Sequence, residues 1–384
     1  MIKKLLLFFL SGIFCFSAKA KIVRIGLLSG ITSSSCTFIV AQGHYQVISG
    51  NKSVALLVPG ESLTLTVAGD SLDVMKRTSP IGKFGLVRLV SGSSGAFFRL
   101  KSNQPVSTAF PYQDNLEVKV SGGKLRLVNL LDLEKYVASV VESESGDNFN
   151  PEFLKVQAIL VRTYALNDLH RHTDGYSLCD AVHCQVYRCR NRFNPIVERA
   201  VGETKNKVLC DERGKMVMSV YHSNCGGQTL PSGDLWSKDL PCIVPVIDTF
   251  CTEGMHARWT RTISKREWKK YLRKNLQVSG DSIPADAWYC FDQPERQKEF
   301  CIGNYGISLK KIRGDWQLKS TFFSIDERGD SVVFSGRGFG HGVGLCQEGA
   351  MEMTAKGFTY KQILQFYFSN VKIVDAKEAR VSRN

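Results

Sequence analysis

Apolar and polar residues follow two different periods along this chain, and the change falls near residue 133. Short apolar runs separated by Gly, Ser and Asn fill residues 21–118, which predicts a β-rich region. A Ser-Gly-Gly turn joins the runs 116–120 and 124–129, a pattern typical of a β-hairpin. From residue 133 onwards apolar side chains recur every three or four positions, which indicates amphipathic helices.

Two consecutive helices open the second part of the chain. The first is predicted over residues 132–142, and the second begins with Asn150 as N-cap and Pro151 in the first turn. A less regular segment with a basic helix near residues 265–275 follows, and two short helices are predicted over 345–356 and 360–368. The chain is therefore predicted to be α+β. Two packed helices lie against antiparallel sheet, a second smaller lobe forms a groove, and the β-rich region (21–118) precedes a main domain (119–375).

The first helix carries a carboxyl group where an apolar side chain is expected. Its apolar stripe consists of Leu133, Val137, Val140 and Val141. Glu144 continues this stripe at i+11, whereas Glu142 points to the other side of the helix. Burial raises the pKa of a carboxyl group, and a neutral carboxylic acid suits general acid catalysis. The alternative is that the helix frays before Glu144, which is then a solvated cap.

The second helix has polar residues on both borders of its apolar stripe. Gln157 and Tyr164 border one side, and Lys155 and Arg162 border the other. This pattern is typical of ordinary helix packing. A long cation beside a buried stripe and a carboxyl also suits a cleft that binds glycan.

Residues 1–20 are predicted to be a secretory signal peptide. They combine a short basic start, an apolar core too short to span a membrane and an Ala-x-Ala site. The mature protein is therefore expected to be periplasmic or extracytoplasmic. The net charge of +14 becomes +11 without the three lysines of this segment, which either favours acidic partners such as wall glycans or serves solubility alone. No zinc finger or Lys/Arg run indicates nucleic-acid binding.

Twelve cysteines are unusually many, and eleven follow the predicted signal peptide. An oxidising compartment favours disulfides for most of them. Cys179, His183 and Cys184, with His172 close by in sequence, offer thiolate and imidazole ligands that zinc prefers. His170 and Cys189 lie near the same motif. A zinc site and disulfides both remain open from the spacing alone.

Glycine occupies every second position from 336 to 344 in the sequence GRGFGHGVG. In extended backbone this spacing removes side chains from one face, so another backbone or a ligand must approach that face closely. A second motif, YHSNCGGQT at 221–229, indicates an exposed loop beside a cleft. Its Cys225 is either a thiol nucleophile or, as in most cysteine-rich chains, a structural residue.

Five segments in this order resemble the stage II sporulation protein D (SpoIID/LytB) family. They are LEKYVASVVESES, FLKVQAILVRTYAL, LCDAVHCQVYR, YHSNCGG-T and FSGRGFGHGVGLCQEGA, within residues 120–372. The resemblance implies that Glu144 is the catalytic residue. Three positions depart from the family pattern: Ser145 stands where Met is usual, Glu142 where Pro is usual, and Cys346 where Ser or Thr is common.

The resemblance also implies a set of site residues. Substrate binding is expected from Lys155, Gln157, Arg162, Tyr164, His222, Ser223, His341 and Gln347. Zinc, the one cofactor expected, would be bound by His172, Cys179, His183 and Cys184. The implied function is that of a peptidoglycan lytic transglycosylase, which cuts glycan strands after an N-acetylmuramoyl-L-alanine amidase has removed their peptides. Two alternatives stay open: a glycan-binding amidase enhancer without catalysis, and a zinc hydrolase.

Overall fold

The computed structural model describes residues 21–93, 95–146, 150–167, 172, 174–187, 194–236, 238–276 and 286–381. The predicted signal peptide (1–20), His170 and Cys189 lie outside the described residues. Within the described part, none of the helices has the length and apolar character needed to cross a membrane.

The first part of the chain forms two sheets. Its strands are β1 (Ile22–Gly26), β2 (Ser35–Gln42), β3 (Tyr45–Ser49), β4 (Lys52–Leu57), β5 (Ser62–Ala68), β6 (Ser71–Lys76), β7 (Ser79–Phe84), β8 (Leu86–Ser91), β9 (Phe97–Gln104), β10 (Phe110–Gln113), β11 (Asn115–Ser121), β12 (Lys124–Asp132) and β13 (Leu178–Cys179). One sheet has the order β13-β1-β12-β11-β8-β3-β4, and the other has the order β10-β9-β2-β5-β6-β7. The predicted β-rich region and the hairpin of β11 and β12 are confirmed.

The predicted boundary at residue 118 falls inside β11, which pairs with β8 on one side and β12 on the other. One hydrophobic cluster contains Leu116 of this sheet together with Val137 and Leu154 of the following helices. Residues 21–118 are therefore not structurally separate from the helices. Apolar periodicity marks a change of element type, whereas hydrogen bonding between strands decides which segments share a sheet.

The remainder of the chain is mixed. Its helices are α1 (Leu133–Glu144), α2 (Pro151–Asn167), α3 (Pro195–Glu203), α4 (Ser232–Trp236), α5 (Lys265–Leu276), α6 (Leu309–Asp315), α7 (Gln347–Ala355) and α8 (Tyr360–Tyr367). Its strands are β14 (Lys207–Asp211), β15 (Tyr221–His222), β16 (Arg258–Ser264), β17 (Glu299–Ile302), β18 (Tyr305–Ser308), β19 (Phe323–Arg328), β20 (Ser331–Arg337), β21 (Leu345–Cys346) and β22 (Val371–Asp375). The fold class is α+β, as predicted.

Local capping explains where the two central helices begin. The Asp132 side chain accepts from the Glu134 N–H at the start of α1, and Asn150 Oδ1 accepts from the Glu152 N–H at the start of α2. The first helix, α1, packs on the large sheet and on α2, and α2 packs in turn on α3 and β14, through buried aliphatic side chains. The pair carries the Glu144 carboxyl at its edge.

A second lobe is built from the sheet β16-β20-β19, the hairpin β17-β18, α5 and α6. Its own hydrophobic core contains Trp268 and Trp288, and the predicted basic helix is α5. The lobe borders a groove of about 390 Å³ next to Gly226 and Arg337. Glu144 does not line this groove, and it lines a different cleft.

Candidate active-site cleft

Glu144 is the last residue of α1, so the helix continues up to it and does not fray earlier. Its side chain is half-buried, and Glu144 Oε1 accepts a hydrogen bond from the Val186 N–H across 3.2 Å. Burial, together with the nearby Glu144 carboxyl, raises the pKa of the Tyr221 hydroxyl well above its usual value. Glu142 is itself 7% exposed, which corrects the prediction that it points away from the core. The physical reason is that α1 packs against α2, α3 and the sheet.

A cleft of about 340 Å³ opens beside Glu144. Of the residues predicted from sequence, it is lined by Glu144, Tyr164, His183, Cys184, His222, Ser223, His341 and Gln347. Gln347 also lies against the end of α1, where its Nε2 is 3.5 Å from the Glu144 main-chain oxygen. The fold therefore brings together residues that are up to two hundred positions apart in sequence.

Parallel pairing of β15 with β21 joins two of the sequence motifs. Tyr221 is paired with Leu345, and His222 with Cys346. This short ladder places Ser223 and Gln347 on the same wall of the cleft. Neither strand has more than two residues, so sequence periodicity has no pattern to detect here.

Two glycines of the run, Gly338 and Gly344, lie directly against the backbone of the 220–226 segment. A Cβ at Gly338 would lie 2.6 Å from the Asn224 main-chain oxygen, and a Cβ at Gly344 would lie 2.3 Å from that of Val220. Both glycines have positive φ, at 77° and 74°, which non-glycine residues rarely adopt. The run is therefore a close contact that holds the 220–226 segment in place.

Two neutral imidazoles form part of the cleft wall. His341 Nε2 donates to the Tyr221 oxygen (3.0 Å), and its Nδ1 accepts from the Val343 N–H (3.1 Å), so both ring nitrogens are used. Burial lowers the pKa of His341 to about 4. His222 Nδ1 donates to the Val343 oxygen (3.1 Å), and burial lowers the pKa of His222 well below its usual value. His222 Nε2 is buried and makes no hydrogen bond to any described residue, which leaves it as an acceptor.

The four predicted zinc ligands converge at one edge of the cleft. One ligand atom from each of His172, Cys179, His183 and Cys184 lies within 4.8 Å of the others. The Cys179 and Cys184 sulfur atoms are 3.3 Å apart, and His172 Nε2 is 3.3 Å from Cys184 Sγ. The hydrogen bond from the Cys184 thiol, helped by His183 and His172, lowers the pKa of Cys179 to about 4 despite its burial. A thiolate next to two imidazoles fits zinc.

The ten cysteines among the described residues are free thiols. The expectation that most cysteines form disulfides is therefore not supported in the described part of the chain. Several of them instead gather in side-chain clusters with histidine or aspartate.

Three predicted binding residues do not reach the cleft. Arg162 is 0% exposed and forms an ion pair with Glu134, with Nη2 2.6 Å from Oε2. Lys155 pairs with Glu152 and Glu203, at 2.8 Å each. Gln157 is enclosed between two hydrophobic clusters and has no exposed surface. These placements put Lys155, Gln157 and Arg162 outside the cleft, which differs from the expectation that they contact glycan there.

Sequence reasoning missed two parts of the cleft. Trp236 at the end of α4 lines it with 40% of its surface exposed, and its ring centroid lies 6.3 Å from that of His341. The second missed part is the Val186 N–H. The amino-acid type of a residue does not show whether its main-chain N–H faces a cleft. An isolated tryptophan after a proline-containing loop was the one available signal for Trp236.

Comparison with known proteins covers the same region. Residues 121–210 match the family model SpoIID, described as Stage II sporulation protein. An uncharacterized protein of Brachyspira hyodysenteriae is 28% identical over 270 residues, which are 69% of this chain and 70% of that protein. Stage II sporulation protein D of Bacillus subtilis is 28% identical over 65% of this chain and 76% of its own length. The Bacillus subtilis amidase enhancer is 26% identical over 60% of this chain but only 39% of its own length.

The family match begins in the β-hairpin, includes α1 with Glu144 and the Cys-His cluster, and ends within β14. The alignments to the relatives extend over roughly two-thirds of the chain. Residues 121–210 therefore form a SpoIID domain, and the chain is a homologue of Stage II sporulation protein D.

Proposed function

We propose that this protein is a peptidoglycan lytic transglycosylase in which Glu144 acts first as general acid and then as general base. One observation carries the proposal: among the described residues that line the cleft, Glu144 is the sole carboxylate. Glycosidases that use water normally need two carboxylates. A single carboxyl suits a reaction in which the substrate supplies its own nucleophile.

The proposed reaction needs no water. Glu144 protonates the glycosidic oxygen as the bond from muramic acid C1 breaks. The resulting carboxylate then takes the proton from the C6 hydroxyl of the same sugar as that oxygen bonds to C1. The products are a 1,6-anhydro-muramic end and a new free hydroxyl end, and Glu144 is protonated again. Glu144 lies at the C-terminus of α1, where the helix dipole disfavours negative charge. This position supports the role of Glu144 as an acid.

The cleft walls supply the remaining groups. Trp236 offers an exposed ring face to a sugar, and it lies beside His341 in the same cleft. No lysine or arginine is found among the described residues lining the cleft. Attraction of an acidic, peptide-stripped strand therefore rests on the overall net charge of the protein. Such a strand exists outside the cytoplasm and after amidase action, so we assign the protein to that compartment and step.

Zinc would be held by His172, Cys179, His183 and Cys184, which offer the four ligand atoms that a structural zinc site needs. Bound there, it would supply a structural cross-link and not an open catalytic position. Val186, two residues after Cys184, would then present its N–H to Glu144 from a fixed loop. This closed donor set also argues against the zinc hydrolase alternative.

Product analysis tests the proposal. Amidase-treated sacculi are incubated with the wild-type protein, Glu144→Gln and the matched control Glu142→Gln, and products are identified by mass spectrometry. We expect anhydro-muramic products from the wild type and the control, and a loss of about 10²-fold or more in Glu144→Gln. Reducing-end products, or equal activity in Glu144→Gln, would refute the mechanism.

A second candidate function follows from the amidase-enhancer relative. In that case the cleft binds glycan without cutting it and promotes an amidase. Strong glycan binding by both wild type and Glu144→Gln, with equal stimulation of an added amidase and no anhydro products, would favour this role.

A further inference from the structure

A second cluster of ligand-type side chains lies away from the cleft, in the hydrophobic core below β15 and β21. Cys225, Asp248, Cys251 and Cys346 are all buried, and one ligand atom from each lies within 4.8 Å of the others. Cys225 Sγ is 3.3 Å from both Cys251 Sγ and Asp248 Oδ2. Neither the family match, which ends at residue 210, nor the proposed function assigns a role to these residues.

The four ligands come from three separate segments. Cys225 follows β15, and Cys346 ends β21 and caps α7. Asp248 and Cys251 lie at the start and end of a single 3-10 turn. Gly349 makes room for this convergence, because a Cβ there would lie 2.3 Å from Asp248 Oδ2. Because Gly349 in α7 has no side chain, there is space for the cluster.

The surroundings favour anionic ligands. The N–H groups of Cys225 and Gly349 donate to Cys346 Sγ at 3.3 and 3.4 Å. Tyr367 donates its hydroxyl to Asp248 Oδ2 at 2.8 Å. Such outer hydrogen bonds orient and stabilise metal ligands.

A partly buried cation, Arg296, lies alongside and donates to the Cys225 main-chain oxygen at 2.7 Å. Zinc binding would displace the protons of the three thiols, and one guanidinium could not neutralise the three thiolates and the carboxylate so formed. A divalent ion in the centre balances most of this charge. Zinc prefers thiolates, and a tetrahedral zinc with bonds of about 2.3 Å holds its sulfur ligands about 3.8 Å apart.

We propose that Cys225, Asp248, Cys251 and Cys346 bind a second, structural zinc ion. The site joins the 224–228 loop, the 3-10 turn and the first turn of α7. Ser223 and Gln347 are close neighbours of two ligands in sequence and line the cleft. The second zinc thereby fixes the part of the cleft wall that carries Ser223 and Gln347. This inference does not depend on the proposed catalytic function.

The competing structure is a disulfide between Cys225 and Cys251. It would leave Cys346 and Asp248 buried together with no cation between them. The disulfide and the zinc site can be told apart by experiment. The full chain is purified without thiol reductant and in buffer with micromolar zinc, so that either the disulfide or the zinc site can form.

Metal content and spectroscopy test the proposal. The Cys179→Ser/Cys184→Ser variant removes the first cluster, and we expect it to retain one zinc per chain. Adding Cys251→Ser and Cys346→Ser should lower this to below 0.2, whereas adding Cys210→Ser, a buried cysteine in β14, should leave it unchanged. Cobalt substitution of the Cys179→Ser/Cys184→Ser variant should give thiolate-to-metal charge-transfer bands. This measurement is informative even if the variants with further substitutions fail to fold.

Three results would overturn the proposal. They are a Cys225–Cys251 disulfide found by mass spectrometry of the non-reduced protein, a wild-type protein with no zinc, and zinc retained after both Cys251 and Cys346 are replaced. If the first variant fails to fold, X-ray absorption of the wild type decides. Two zinc ions per chain whose average shell includes oxygen support a Cys3Asp site, and one zinc with a two-sulfur, two-nitrogen shell rejects it.

Discussion

The Val186 N–H donates to Glu144 Oε1 across 3.2 Å, and this contact joins the end of α1 to the loop that follows the Cys-His cluster. Cys184 is only two residues before Val186, so whatever orders the cluster also orders the donor. The position of the carboxyl is therefore coupled to the state of four side chains at the edge of the cleft.

Removal of zinc from the first cluster should reduce activity. Cys184→Ser, or chelation, is expected to lower kcat by about 10- to 100-fold, because the Val186 loop loses its cross-link. Turnover of denuded glycan and zinc content are measured together. Cys36→Ser, a buried cysteine in β2, serves as control. Full activity in a zinc-free Cys184→Ser protein would contradict the coupling.

Trp236 should contribute to glycan binding. Trp236→Ala removes an exposed ring at the cleft and is expected to raise KM about five-fold, equivalent to about 1 kcal/mol, with kcat less affected. Trp236→Phe keeps a ring face and should restore most of the affinity. Equal KM values for the alanine variant and the wild type would exclude the contact.

Arg162 should matter for stability and not for substrate affinity. Arg162→Met leaves Glu134 without its buried partner and should lower the free energy of unfolding by about 3–5 kcal/mol. Lys155→Met breaks a pair whose Glu203 partner is 50% exposed, so it should cost less than about 1 kcal/mol. Urea denaturation measures both. A raised KM with unchanged stability in Arg162→Met would restore the glycan-binding interpretation.

Acid should destabilise the protein through His341. Its pKa is about 4 in the folded protein against an ordinary 6.5, so the unfolded chain binds the proton first as pH falls. Protonation of His341 therefore leaves the free energy of unfolding unchanged above pH 6.5 and lowers it progressively from pH 6.5 towards pH 4. His222 acts in the same direction. His341→Gln should show a shallower decrease in denaturation series at pH 7.5, 5.5 and 4.5; parallel curves would refute this.

Gly338 should be far less replaceable than Gly357. Both have positive φ, at 77° and 85°, so alanine costs roughly 1–2 kcal/mol of backbone strain at either position. At Gly338 the new Cβ also meets the Asn224 oxygen at 2.6 Å, whereas at Gly357 no atom lies within 4 Å. Thermal unfolding should show a clearly larger loss for Gly338→Ala. Equal losses would mean that the 220–226 segment shifts freely.

Helices were the best-predicted elements, because their signals are local. Asp132 and Asn150 as caps, Pro151 in the first turn and Thr359 before α8 all act within four residues. Within residues 216–222, only the two-residue β15 (Tyr221–His222) forms a strand. Its partner β21 is over one hundred residues away, and no local period encodes it.

The sequence alone determined the α+β class, the hairpin of β11 and β12, and the apolar stripe that ends at Glu144, since each follows from spacing within one element. Only the tertiary structure decided that Arg162 pairs with Glu134, 28 residues away, while Trp236 reaches the cleft. It alone brought Cys225, Asp248, Cys251 and Cys346 together. The physical reason is that a polar residue beside a helix stripe looks the same in sequence whether its partner is a ligand or another side chain.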